Sequence, residues 1–217
     1  MAHMDRRPLF QAPFRQRFPA TGCSLTRADP QMISTIRAPS VADLIEQLQE
    51  NTASARTLWQ AYSAEALIRR PSPTRWSAAE CLAHLNLTNR AYLPRITSAL
   101  SDLGSRQLRG SGPFSMSWNA RLLAYWLEPP SRLRLPSTKP FLPEHNLEPS
   151  SVLVEFHSFL EQIATQLRAA DGLALDLIQI HSPFAEKMKY NLYSALVIIT
   201  AHNRRHLWQA DRALQGV

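Results

Sequence analysis

The chain has 217 residues, 45% apolar and 19% charged, enough to bury a core in one domain or two small ones. Its net charge of +7 raises nucleic acid as a partner, yet residues 1–37 carry six arginines (Arg6, Arg7, Arg15, Arg17, Arg27, Arg37) against Asp5 and Asp29, so over half the excess sits there. The remainder shows no cationic helix face interleaved with aromatics, and its longest strongly apolar run is Ala195–Ile199, so neither nucleic acid nor a membrane is an expected partner.

Residues 1–37 are rich in proline and arginine and have no apolar periodicity. They are expected to form an irregular or disordered basic extension, with the folded domain over 38–217. Met32 opens the sequence that runs into the first helix, so residues 1–31 read as an upstream extension. The start lacks the apolar segment of a secretory signal. Cys23 and Cys81 form no spacing pattern, which fits a reducing compartment. The expected location is the cytoplasm of a bacterium.

The first helix is predicted from Ser40, with Asp43 three residues on in a capping-box arrangement. Val41, Leu44, Ile45, Leu48, Ala55, Leu58, Trp59 and Tyr62 follow at helical spacing, until Arg70-Pro71-Ser72-Pro73 breaks it. The second helix starts at a clearer capping box, Ser77-Ala78-Ala79-Glu80, and carries Leu82, Leu85, Tyr92, Ile96, Ala99 and Leu100. Pro94 lies inside it and is expected to kink it. Residues 102–149 hold seven prolines and three glycines and are too long for an ordinary helix connection. They read as an ordered crossover with one short helix near Ala120–Leu127, packing Trp118, Trp126 and Phe141 on the bundle. The third helix is predicted over Ser150–Ala170, closed by Gly172. Leu175–Ile180 is a short apolar bridge, Ser182-Pro183-Phe184 a turn, and the fourth helix runs from Lys189 to Leu214. Four long helices and no convincing strand predict an all-α antiparallel bundle with a long Pro-rich crossover between its second and third helices.

The fourth helix carries His202-Asn203-Arg204-Arg205-His206. Histidines at i and i+4 share a helix face, and both imidazoles can then reach one metal ion at about 2.0–2.1 Å. Leu192, Ala195, Ile199, His202, His206 and Ala213 continue one core-facing stripe. Such spacing also arises by coincidence, and two core histidines bonded to neighbours remain the alternative. A third ligand is needed, and His84 on the second helix is the best candidate. His145 and His181 lie in loop-like sequence, His157 on the third helix and His3 in the extension.

Arg75-Trp76-Ser77-Ala78-Ala79-Glu80-Cys81-Leu82-Ala83-His84-Leu85 resembles the second-helix signature of the DinB-like metal-binding four-helix bundles. Ala201-His202-Asn203-Arg204-Arg205-His206-Leu207-Trp208-Gln209-Ala210 resembles their last-helix signature. Glu128-Pro129-Pro130 and His181-Ser182-Pro183-Phe184 are similar to a subgroup with a long crossover. The resemblance covers about 38–217. It implies an up-down-down-up bundle, a divalent metal (zinc or nickel) and ligands at His84, His202 and His206. It also implies a small-molecule substrate, homodimers among members, and relatives that transfer a low-molecular-weight thiol through a metal-bound thiolate. Position 203 is Asn where many relatives carry an acid, which removes a charge-balancing group beside the ligands.

Other residues near the site have two readings each. Cys81 is a fourth ligand or nearby thiol, or a small buried residue. Thr88, Asn203 and Tyr92 are candidates to line the pocket or sit behind the ligands. Trp76 and Trp208 line its mouth, or simply pack. Glu80 caps its helix, and base chemistry is the minority reading. Arg204 and Arg205 either meet an anionic substrate or form a solvated face near a helix C-terminus. Metal-dependent thiol transfer, metal-dependent hydrolysis and a non-catalytic metal-binding bundle all remain open, with thiol transfer resting on the resemblance alone.

Overall fold

The computed structural model describes residues 38–130, 137–185 and 187–216. The predicted extension, 1–37, lies outside the described residues. The elements in chain order are α1 (Val41–Ala61), α2 (Ala64–Ile68), α3 (Ala78–Ser105), α4 (Trp118–Leu127), a 3-10 turn (Lys139–Phe141), α5 (Pro149–Ala169), β1 (Gln179–His181), β2 (Lys189–Asn191) and α6 (Leu192–Leu214).

Side-chain caps set most helix starts. Ser40 Oγ accepts the Asp43 N–H at 3.1 Å and Asp43 accepts the Ser40 N–H at 2.7 Å. Ser77 and Glu80 exchange the same pair of bonds at the head of α3. Each satisfies backbone donors that a helix start leaves orphaned. Glu148 caps α5, accepting from Ser150 and Ser151. The predicted first helix does not run unbroken to the prolines. Tyr62 turns extended, and Ser63 caps a separate short helix by accepting the Ala66 N–H at 3.3 Å. That break turns Leu67 into a small cluster with Ala78, Cys81 and Ala210. Gly172, at φ +74°, takes the left-handed backbone just beyond α5 that a side chain would resist.

The four long helices form an all-α bundle in which α1 and α3 each pack against both α5 and α6. Leu44, Leu82, Leu85, Phe156, Leu160, Ile163 and Ile199 fill its centre. Residues 192–201 of α6 are buried on every side, as expected of a helix enclosed by neighbours. Pro94 sits exposed inside α3 without ending it. Trp59 Nε1 donates to the Pro149 carbonyl at 2.8 Å and fastens α1 to the start of α5. No described helix is long and apolar enough to cross a membrane.

The crossover contains the predicted short helix, and α4 packs on α6. Its inner face is Ala120, Ala124 and Leu127, and small residues there allow close approach. Phe141 is buried and Trp126 half-buried, but Trp118 does not pack on the bundle. It opens α4 on the opposite side from the alanines and is 80% exposed.

The absence of strands needs correction as well. β1 and β2 pair antiparallel, with Ile180 opposite Tyr190. The fourth helix therefore starts at Leu192 rather than Lys189. Asn191 ends the strand and caps the helix, accepting the Ser194 N–H at 2.8 Å. Three-residue strands are too short to display a period of two.

Candidate metal centre

Across the α3–α6 seam, His84 meets His202, Asn89 meets Asn203, and Tyr92 meets Tyr190 just before α6. From the first two pairs to the third, numbers rise on one side and fall on the other, so the two helices run antiparallel. This places the second turn of α3 beside the middle turns of α6. His84 comes from the former, His202 and His206 from the latter. The i,i+4 spacing puts both α6 imidazoles on the face turned to His84.

The ligand nitrogens of His84, His202 and His206 all lie within 4.8 Å of one another. His84 Nδ1 is 2.7 Å from the Phe141 carbonyl. A carbonyl only accepts, so Nδ1 carries the proton and Nε2 presents a lone pair. That Nε2 is 3.4 Å from His202 Nε2. Two nitrogens each bonded to one tetrahedral zinc at about 2.0–2.1 Å stand about 3.3–3.4 Å apart. His206 Nδ1 is buried with no hydrogen-bond partner. A convergent lone pair, a matching spacing and an orphaned imidazole nitrogen fit a divalent metal. The carbonyl behind His84 also fits the outer hydrogen bond that ligating histidines make.

Electrostatics agrees. Burial pulls the His84 pKa below the usual imidazole range, against a smaller upward pull from the Phe141 carbonyl. Burial takes His202 and His206 well below it, and repulsion from the neighbouring histidines and Arg205 adds to this. All three are neutral near neutral pH, the form that binds metal.

A cavity of about 740 Å³ opens in front of the histidines. Trp76 packs at a tilt against His84 and His206, with ring centres 5.0 and 6.0 Å away. Phe184 lies 5.7 Å from His202 and 4.7 Å from Phe141. Trp76 and Trp208 both line the cavity. His202 is partly open to it, while His84 and His206 are buried.

The other candidates separate. Cys81 lines the cavity, but its thiol is outside the histidine group. Burial, and secondarily Glu80, pushes its pKa up to about 12. Thr88 Oγ1 donates to the Leu85 carbonyl of its own helix at 2.9 Å. Asn203 is fully buried against Asn89, 3.4 Å away. The Tyr92 hydroxyl bonds that of Tyr190, and its ring reaches Phe184. None of the last three lines the cavity. Glu80 is taken up by Ser77, Arg70 and His145. His181 is exposed at the end of β1 and His157 is on α5. Arg204 pairs with Glu128 of the crossover and with Gln47. Arg205 instead is buried at the cavity wall, its Nη1 donating to the Trp126 carbonyl at 3.0 Å. The Phe141 carbonyl, Arg75 and Arg212 escaped the sequence reading. A backbone carbonyl in a loop has no sequence signal, and the arginines lie outside the histidine stripe.

The Cys81 environment has a direct consequence. Alkylation requires thiolate, and a pKa near 12 against about 8.5 for a free thiol leaves roughly a thousandfold less of it. Iodoacetamide labelling of the Cys81 peptide, followed by mass spectrometry, is expected to be at least about a hundredfold slower in the native protein than in denaturant. Equal rates would contradict the buried placement.

The fold and the centre define a histidine-bearing helical bundle, and a family model described as the DinB superfamily matches residues 47–210. The chain belongs to the DinB superfamily. No curated protein and no solved structure matches it.

Proposed function

We propose that the protein is a divalent-metal-dependent enzyme, with zinc or nickel on His84, His202 and His206, that transfers a low-molecular-weight thiol to an electrophilic small molecule. The observation carrying this reading is the convergence of three neutral imidazoles on the floor of a 740 Å³ cavity. A divalent ion there supplies a Lewis acid that lowers the pKa of a coordinated thiol or water.

The chain's own residues hold and shelter that position. The Phe141 carbonyl fixes the His84 tautomer, and the capped head of α3 fixes Trp76. Trp76, Phe184 and Trp208 give the cavity an apolar wall, which strengthens polar interactions beside it. The described lining residues include no carboxylate to act as a general base. This favours a thiol, which starts near pKa 8.5, over water, which starts near about 15.7.

The test is thioether formation from 1-chloro-2,4-dinitrobenzene and a panel of thiols (glutathione, cysteine, coenzyme A), with zinc- or nickel-loaded protein. Turnover with at least one thiol should exceed that of a His202→Ala/His206→Ala variant by about a hundredfold or more. Equal rates with every thiol would reject thiol transfer. Metal-dependent ester hydrolysis in the same preparations would favour the hydrolase.

A further inference from the structure

Two contacts tie the crossover to the head of α3, and they run side by side. His84 Nδ1 meets the Phe141 carbonyl at 2.7 Å, and His145 Nδ1 meets Glu80 Oε1 at 3.1 Å. Glu80 and His84 are four apart on α3 and so share a face. Phe141 and His145 are four apart on the crossover. Numbers fall along the crossover as they rise along the helix, so residues 141–145 lie antiparallel against the first two turns of α3. Phe141 and Pro143 are buried while Leu142 and Glu144 are exposed, which makes this stretch a strap at the surface. The His145 side chain is 75% exposed, but the carboxylate it meets is 4% exposed. That carboxylate is itself fixed, by the Ser77 N–H at 2.8 Å and by Arg70 Nε at 2.8 Å. The imidazole is held in either form. With a proton on Nδ1 it donates to Glu80, and without one it accepts from Arg70 Nη2, 3.1 Å away.

We propose that His145 is a positioning residue for His84: its grip on the Glu80–Arg70 pair seats the strap, so that the Phe141 carbonyl holds the His84 Nδ1 proton and the Nε2 lone pair is left for a metal. The proposal rests on the reading of His84 as a ligand and adds the residue that orients it. A neutral imidazole carries its proton on either nitrogen, and the hydrogen bond made by one nitrogen decides whether the other presents a lone pair. When the strap lifts, Nδ1 loses its acceptor, and the proton can move to Nε2, the nitrogen that faces His202. In that form Nε2 has no lone pair for a metal. Partners behind metal ligands set ligand orientation in this way, and His145 acts one contact further out. Removing the His145 ring leaves the Ser77–Glu80 cap and the Arg70–Glu80 pair in place, so a variant there reports the strap and not the helix head.

Nitrogen-15 NMR of the metal-free protein tests this, because the two imidazole nitrogens resonate differently in each tautomer. Wild-type His84 should be in the Nδ1–H form. In His145→Ala the ratio of Nε2–H to Nδ1–H forms should rise by about fivefold, the weight of a hydrogen bond to a charged partner reduced by the exposure of the ring. His145→Asn sets an amide, both donor and acceptor, where Nδ1 stands, and should restore the wild-type ratio. Zinc affinity, measured by competition with a fluorescent chelator, should fall in His145→Ala in proportion to the Nδ1–H share, since apparent affinity scales with the competent fraction. It should recover in His145→Asn. An Nε2–H His84 in wild type, an unchanged ratio in His145→Ala, or a shift that His145→Asn does not reverse overturns the proposal. So does full zinc affinity in a variant whose Nδ1–H share has fallen. A wild type that takes up no zinc, yet shows the tautomer shift and its reversal, leaves the inference standing while the metal reading fails.

Discussion

Zinc at about a thousandfold its dissociation constant is expected to stabilise the native protein by about 4 kcal/mol, because an ion that binds only the folded state adds its binding free energy to folding. For a chain of this size that is a rise in melting temperature of roughly 8–16 °C. In His202→Ala/His206→Ala the rise should vanish, and bound metal by elemental analysis should drop from about one ion per chain to nearly none. The comparison is between shifts rather than absolute melting temperatures, since the substitutions also alter packing. That alteration should be small. The lost imidazoles border an open cavity, so their removal enlarges accessible space and encloses no void. His84→Ala should weaken binding without abolishing it, because the i,i+4 pair on α6 survives. An undiminished zinc shift in the double variant would remove the metal centre from these residues.

The parts of this site that were legible in the sequence are those encoded within one helical turn. The boxes Ser40/Asp43 and Ser77/Glu80 are local, so α1 and α3 start where the residues predict. The His202/His206 pair is local too. His84 is legible as a histidine on the second helix that could supply a third ligand, and the resemblance adds its pairing with the α6 histidines, because nothing within α3 says which α6 turn it will face. Cys81, Thr88, Asn203 and Tyr92 show the limit of stripe reasoning. The same helical face passes from cavity to core within a turn or two, so spacing cannot tell a lining residue from a packed one. Arg204 and Arg205 illustrate it sharply. They are neighbours about 100° apart on the helix, and only the incoming crossover, with Glu128 and Trp126, decides which is paired outside and which is buried at the cavity. The hairpin was invisible for a different reason. Its strands are held by pairing across a turn, and Asn191 looks like any polar residue until it is seen capping α6.

Glu80→Ala is expected to destabilise the protein by about 3 kcal/mol, a fall of roughly 6–12 °C in melting temperature. The Glu80 side chain is 4% exposed and holds two structures together. It accepts the Ser77 N–H at 2.8 Å, completing the α3 cap, and it binds Arg70 across the turn between α2 and α3. Its loss leaves a buried backbone donor unsatisfied, at about 1–3 kcal/mol, and strands the guanidinium. Arg70 is about a third exposed, so water takes up part of that second cost. Glu80→Gln keeps an acceptor for Ser77 and loses the charge, and should cost less. The pH dependence has a fixed sign. Burial pushes the Glu80 carboxyl up, but the Arg70, Ser77 and His145 contacts outweigh it, so its pKa lies below the ordinary 4.5. The stabilisation is therefore complete above about pH 5 and is lost as pH falls through the lowered pKa. The gap between wild type and Glu80→Ala should be full near neutrality and narrow in acid to what the neutral carboxyl still contributes as an acceptor for Ser77, as denaturant titrations at several pH values would show. The same variant links stability to the metal. The cap sets the first turn of α3, and with it Trp76 over His84 and His206. Zinc affinity should fall by about tenfold although every ligand is present, the lower end of the range for changes behind metal ligands. Unchanged zinc affinity in a destabilised Glu80→Ala protein would mean that the histidines hold their geometry without help from the helix head.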